Sequence, residues 1–70
     1  MKLHYSILIQ WSDEDQCYIV SFPEFGKYAK THGDTYEEAV RNAQEVLELL
    51  VEDNEKLPKP NLYNSLATKT

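Results

Sequence analysis

The residues of this 70-residue chain that could do chemistry are few and far apart. His4 and His32 are the only histidines, and neither has a second ligand at HExxH or HxH spacing. Each reads as a strand or turn residue. Cys17 is the only cysteine, which rules out an internal disulfide framework and a cysteine-based zinc site. No lysine or arginine stands near it in sequence to lower its pKa, so it reads as a small apolar strand residue rather than a nucleophile. Asp13-Glu14-Asp15 groups acids that could face a cation. A calcium loop of the EF-hand type needs a longer pattern with a glycine, however, and acids are ordinary in a polar turn. The glycines are Gly26 and Gly33 alone, so there is no glycine-rich phosphate loop. A pair of carboxylates can do acid–base work, but nothing in the sequence aims one at a pocket. The expectation is a binding protein without catalysis, cofactor or metal.

Several elements must position whatever these residues do. Residues 3–11 alternate: Leu3, Tyr5, Ile7, Ile9 and Trp11 point one way, His4, Ser6, Leu8 and Gln10 the other. Ser12 to Gln16 form a polar turn, and Cys17 to Phe22 a second strand, which predicts a β-hairpin. Trp11 opposite Cys17 sets Ile9 against Ile19 and Leu8 against Val20. That register leaves Leu8, Tyr18, Val20 and Phe22 on one face. Together with Leu49 they are the candidate oligomer interface, although half-exposed strand hydrophobes without any role are equally ordinary. Pro23-Glu24-Phe25-Gly26 breaks the strand, and Lys27 to His32 form a short third one.

Gly33-Asp34-Thr35-Tyr36-Glu37-Glu38 then turns the chain into a helix from about Thr35 to Asn54. Gly33 is read as a residue tolerating unusual backbone angles. Thr35 is the N-cap, and Glu38 reaches back to its amide in a capping box. Tyr36, Ala39, Val40, Ala43, Val46, Leu47, Leu50 and Val51 make one stripe on the helical wheel. Leu57-Pro58-Lys59-Pro60 ends the helical region, and Leu62, Tyr63 and Leu66 leave room for a short fourth strand. The fold class is α+β: a small antiparallel sheet of three strands against one long helix, in the order β-β-β-α-(β). Residues 1–66 form one domain and 67–70 a frayed tail.

Composition narrows the function. The chain is 41% hydrophobic and 27% charged, as globular domains are, with a net charge of −5. Its basic residues are scattered, which disfavours nucleic acid and favours a basic protein partner. Glu37, Glu38, Glu45, Glu48 and Glu52 face outward against Arg41 alone, either as a solvated acidic face or as a docking surface. Glu24, Phe25 and Tyr28 in the strand-linking segment, with Glu45, Glu48 and Glu52 on the helix, are the candidate partner contacts. Residues 1–15 do not read as a signal peptide, and no apolar run approaches the roughly 18 residues of a membrane span. A cytoplasmic location is expected.

Taken together, YSILIQW, CYIVSFPEF, THGDTYEEAVRNAQEVLELL and LPKP resemble the HicB-like antitoxin family over about residues 3–60. The marks are the hydrophobic hairpin, Tyr18, Phe22-Pro23, Gly33-Asp34-Thr35, Glu38-Ala39, Ala43 and Pro58-x-Pro60. The resemblance implies a partial RNase H-like fold without the catalytic acids of RNase H. It implies an antitoxin that masks HicA, a small basic mRNA-cleaving toxin with a catalytic histidine. It also implies a homo-oligomer, dimer or tetramer. Many members carry a DNA-binding helix-turn-helix or ribbon-helix-helix domain after this one. These 70 residues hold none, so no direct DNA binding is expected of them. The alternative is a stand-alone homo-oligomeric module with a structural or regulatory role and no toxin partner.

Overall fold

The computed structural model describes residues 4–63. Strand β1 (Leu8–Ser12) pairs antiparallel with β2 (Cys17–Ser21), and β2 with β3 (Lys30–Gly33), in the spatial order β1-β2-β3. A 3-10 turn over Pro23–Phe25 links β2 to β3, and helix α1 (Tyr36–Asp53) follows. The α+β class and the order β-β-β-α are as expected. No fourth strand forms through Tyr63; Leu66 and the tail 67–70 lie outside the described residues.

The hairpin register differs from expectation by one residue. Ser12, not Trp11, pairs with Cys17, so Ile9 faces Val20 and Trp11 faces Tyr18. The cause is the turn. Gln16 adopts a left-handed backbone (φ 55°), and its amide donates to the Ser12 carbonyl at 2.8 Å. The Ser12 hydroxyl also accepts from the Asp15 amide at 3.1 Å. Such a loop holds one residue fewer than the expected one, and a slip of one residue moves a strand's side chains to the other face.

As a result, Val20 and Phe22 face the helix and are completely buried with Ala39, Ala43 and Leu47. Tyr5, Ile9, Tyr18, Val46, Leu50 and Val51 pack around this cluster. The opposite face carries Leu8, Gln10 and Ser12, then Cys17, Ile19 and Ser21, then Lys30 and His32. It is largely polar and is not the spare apolar face expected.

Helix α1 starts at the expected cap. The Glu38 amide donates to Thr35 Oγ1 at 3.1 Å. Glu38 Oε1 reaches back one residue further than expected, accepting from the Asp34 amide at 2.9 Å. Gly33 is required for space rather than for backbone angle. A Cβ there would lie 2.5 Å from the Ala39 nitrogen, so its absence lets the first turn of α1 close onto the end of β3. The left-handed glycine is Gly26 (φ 91°), which closes the 3-10 turn. The helix packs mainly on β3, less on β2, and leaves β1 largely uncovered.

Candidate protein-binding surfaces

Three surfaces emerge from this arrangement, and the expected contact residues fall on two of them. Glu24 is half-buried at the edge of the groove that Phe25 and Tyr28 line, and its carboxylate is engaged within the chain. Its carboxylate accepts from the Ser6 amide at 3.1 Å, the Ser6 hydroxyl at 3.0 Å and the Asn61 amide at 2.8 Å. It therefore ties the N-terminal stretch and the segment after the helix to the 3-10 turn. Partial burial pushes its pKa up, but the hydrogen bonds from Asn61, its own amide and Ser6 outweigh this and hold it below the usual carboxylate value. Exposure and charge read from sequence make Glu24 a contact, whereas the fold makes it a structural tie.

Phe25 and Tyr28 line an open groove of about 620 Å³ between the β2–β3 connection and the C-terminal end of α1. Glu24, Ala29, Leu50, Asn54, Lys56, Leu57 and Pro58 complete it. The Tyr5 hydroxyl donates to the Pro58 carbonyl at 2.6 Å, and the Tyr5 ring meets Phe25 edge-on at 4.8 Å, fixing one wall. Tyr28 is 88% exposed, with the Lys27 ammonium 5.3 Å from its ring centre.

Glu45, Glu48 and Glu52 are all exposed on α1. At roughly 100° per residue they share one face, turned away from Leu50 and Asn54 of the groove. Leu49 sits among them, 56% exposed. This is an acidic surface with an apolar centre. The last turn of α1 contains no basic residue, so its carboxylates crowd the negative end of the helix dipole. A cationic partner relieves that crowding.

The third surface was missed from sequence. Trp11 meets Tyr18 edge-on at 5.1 Å, and Tyr18 stacks on Tyr36 at 4.3 Å. Trp11, Tyr36 and Val40 remain 49%, 60% and 42% exposed. They form an apolar flank where the helix leaves β1 uncovered. The signal that could have revealed it was the position of Tyr36 and Val40 in the first turns of the stripe, combined with the true hairpin register.

The expected oligomer set does not survive as one surface. Val20 and Phe22 have no exposed area, because they form the core, and Tyr18 lies on the helix side. Leu8 is exposed on the opposite sheet face and Leu49 on the helix, so the two do not join.

The residues able to do chemistry are placed without a shared site. His32 is exposed on β3. Cys17 is a buried free thiol, and burial followed by the carboxylates of Asp15 and Asp34 pushes its pKa up, away from the thiolate. Asp13 and Asp15 are engaged in the hairpin turn: Trp11 Nε1 donates to Asp13 Oδ1, and the Ser12 hydroxyl to Asp15 Oδ2, both at 3.1 Å. Among the described residues no three His, Cys, Asp or Glu side chains gather as metal ligands, and no helix is long and apolar enough to cross a membrane.

Comparison with protein-family models, with curated proteins and with solved structures returned no match in any of the three.

Proposed function

We propose that this chain is an antitoxin-type binding module of the HicB-like kind on a partial RNase H-like fold. It neutralises a small basic HicA-like mRNA-cleaving toxin by covering its active surface, without chemistry of its own. The observation that supports this reading most is the acidic face of α1, where exposed Glu45, Glu48 and Glu52 surround exposed Leu49. Charge of this sign steers a basic partner to the surface, and the apolar centre supplies contact once it arrives. The groove lined by Phe25 and Tyr28 offers a second, aromatic contact.

The test is co-expression with the cognate toxin in the cytoplasm. Growth resumes and the two proteins co-purify if the reading is right. Continued growth arrest with no co-purification overturns it.

One observation favours the alternative of a homo-oligomeric module. The exposed flank of Trp11, Tyr36 and Val40 is apolar at its centre, with Glu37 and Arg41 of opposite sign at its rim, and so suits a copy of the chain better than a basic toxin. The two readings are compatible, since that flank and the acidic face are separate surfaces.

A further inference from the structure

We infer that residues 57–61, after α1, form a strap that opens and closes as one unit over an intact sheet and helix, with Tyr5 and Glu24 as its two anchors. Its state sets the width of the groove lined by Phe25 and Tyr28. The strap is a property of this chain alone and does not depend on the toxin reading.

This segment is attached differently from the rest of the chain. None of residues 54–63 is buried, and only Pro58 and Pro60 are half-buried. None belongs to the core cluster or to the hydrophobic residues packed on it. None takes part in a helix, a strand or a main-chain turn bond. Among the described residues, two points of attachment hold the strap down. The Tyr5 hydroxyl donates to the Pro58 carbonyl at 2.6 Å, and the Asn61 amide donates to Glu24 Oε2 at 2.8 Å. The Ser6 hydroxyl supports the second point, 3.0 Å from Glu24 Oε2 and 3.4 Å from the Asn61 carbonyl. A region with few buried contacts and few main-chain bonds opens for much less free energy than the whole fold.

Two features make the segment a strap rather than a frayed end. The first is stiffness. The anchored groups belong to Pro58 and Asn61, and Pro60 lies between them. Proline fixes its own φ and restricts the residue before it, so this stretch keeps its shape and one anchor cannot let go without loading the other. The second is the carboxylate. Glu24 accepts from the Asn61 amide and also from the Ser6 amide, so it joins the strap to the stretch that leads into β1. Bonds to an ionised group are roughly twice as strong as neutral ones, which suits a segment with little apolar surface to hold it. The hinge lies at the end of α1. Asn54 leaves the helical conformation there (φ −102°, ψ 123°), while its side chain donates to the Leu50 carbonyl at 2.6 Å. The helix is thereby finished without help from the strap. Leu57 and Pro58 form the strap's wall of the groove, opposite Phe25 and Tyr28. Opening withdraws that wall and uncovers the edge-on pair of Tyr5 and Phe25.

Amide hydrogen exchange of the full chain, read by NMR, tests this. In the wild type the Asn61 amide is expected to be protected, but roughly tenfold or more below the amides of Ala43 and Leu47 inside α1. Low urea speeds exchange that needs global unfolding. It is expected to leave Asn61 unaffected, because opening the strap exposes little surface. Tyr5→Phe removes the Pro58 anchor, keeps the ring and takes no bond from Asn61. It is nevertheless expected to speed exchange at Asn61 about fivefold, the effect of one lost hydrogen bond passed along the strap. Glu24→Gln is expected to speed it by at least as much. An Asn61 amide as protected as that of Ala43 would mean that the segment opens only with the whole fold. An unprotected one would mean that it is never closed. Wild-type exchange at Asn61 in Tyr5→Phe would mean that the anchors act separately. Each of these results overturns the assignment, as does a Glu24→Gln chain that exchanges like the wild type.

Discussion

Glu24 marks where reading residues one at a time stops working. Its partners Ser6 and Asn61 lie 18 and 37 positions away, so no local pattern distinguishes this carboxylate from a free surface charge. Its role carries a pH signature. A carboxylate whose folded pKa is lowered contributes stability above its unfolded value, and that contribution is lost as pH falls through the folded one. Glu24→Gln is therefore expected to be less stable at neutral pH by about 1 kcal/mol, discounted for partial solvent exposure. It is also expected to lose less stability than the wild type on acidification below the ordinary glutamate range. Urea denaturation at neutral and acid pH measures both, and parallel pH profiles for the two proteins contradict the role. Cys17 and the hairpin acids, by contrast, were legible as a packed strand residue and as turn residues, and that is where the fold places them.

Element by element, legibility follows how local the determining interaction is. Helix α1 begins and ends within a residue of expectation because its cap and its stripe are written in neighbouring positions. The hairpin was found but mis-registered, because the outcome turned on Gln16 accepting a left-handed backbone, which glutamine does not advertise. One residue of slip then exchanged core and surface, and took Val20 and Phe22 out of the expected interface. Gly33 was recognised as special for a reason other than the one that operates, since the demand comes from the approach of Ala39 and not from its own dihedral angles. The centre of the helix stripe makes a direct prediction. Ala43 has no exposed area, so Ala43→Glu buries a charge and is expected to abolish stable folding, a loss of several kcal/mol. Glu48→Lys, exposed near the negative end of the helix dipole, is expected to leave stability unchanged or raise it by a few tenths of a kcal/mol. Thermal melts followed by far-UV circular dichroism separate these outcomes. A wild-type melting temperature for Ala43→Glu would place the core on another face.

At the scale of the whole molecule, one helix over three strands cannot cover the entire sheet, and what it leaves open defines the protein. The flank of Trp11, Tyr36 and Val40 is apolar at its centre, while the solvent side of α1 is acidic around Leu49. By its chemistry the first surface suits a copy of this chain and the second a basic partner. Opposite chemistries on separate faces allow both contacts at once. Composition alone indicated the sign of the charge. It could not indicate where the charge gathers, because that depends on which helix face the sheet claims. The central claim is that the acidic face of α1 is the toxin-docking surface. Titration calorimetry with the purified HicA-like toxin tests it most directly, comparing the wild type with the triple variant Glu45→Lys/Glu48→Lys/Glu52→Lys. We predict that the triple variant keeps its fold and its assembly but binds about 100-fold more weakly, as expected for charge reversal at an electrostatically matched interface. A correctly folded triple variant that binds the toxin as tightly as the wild type would contradict the account.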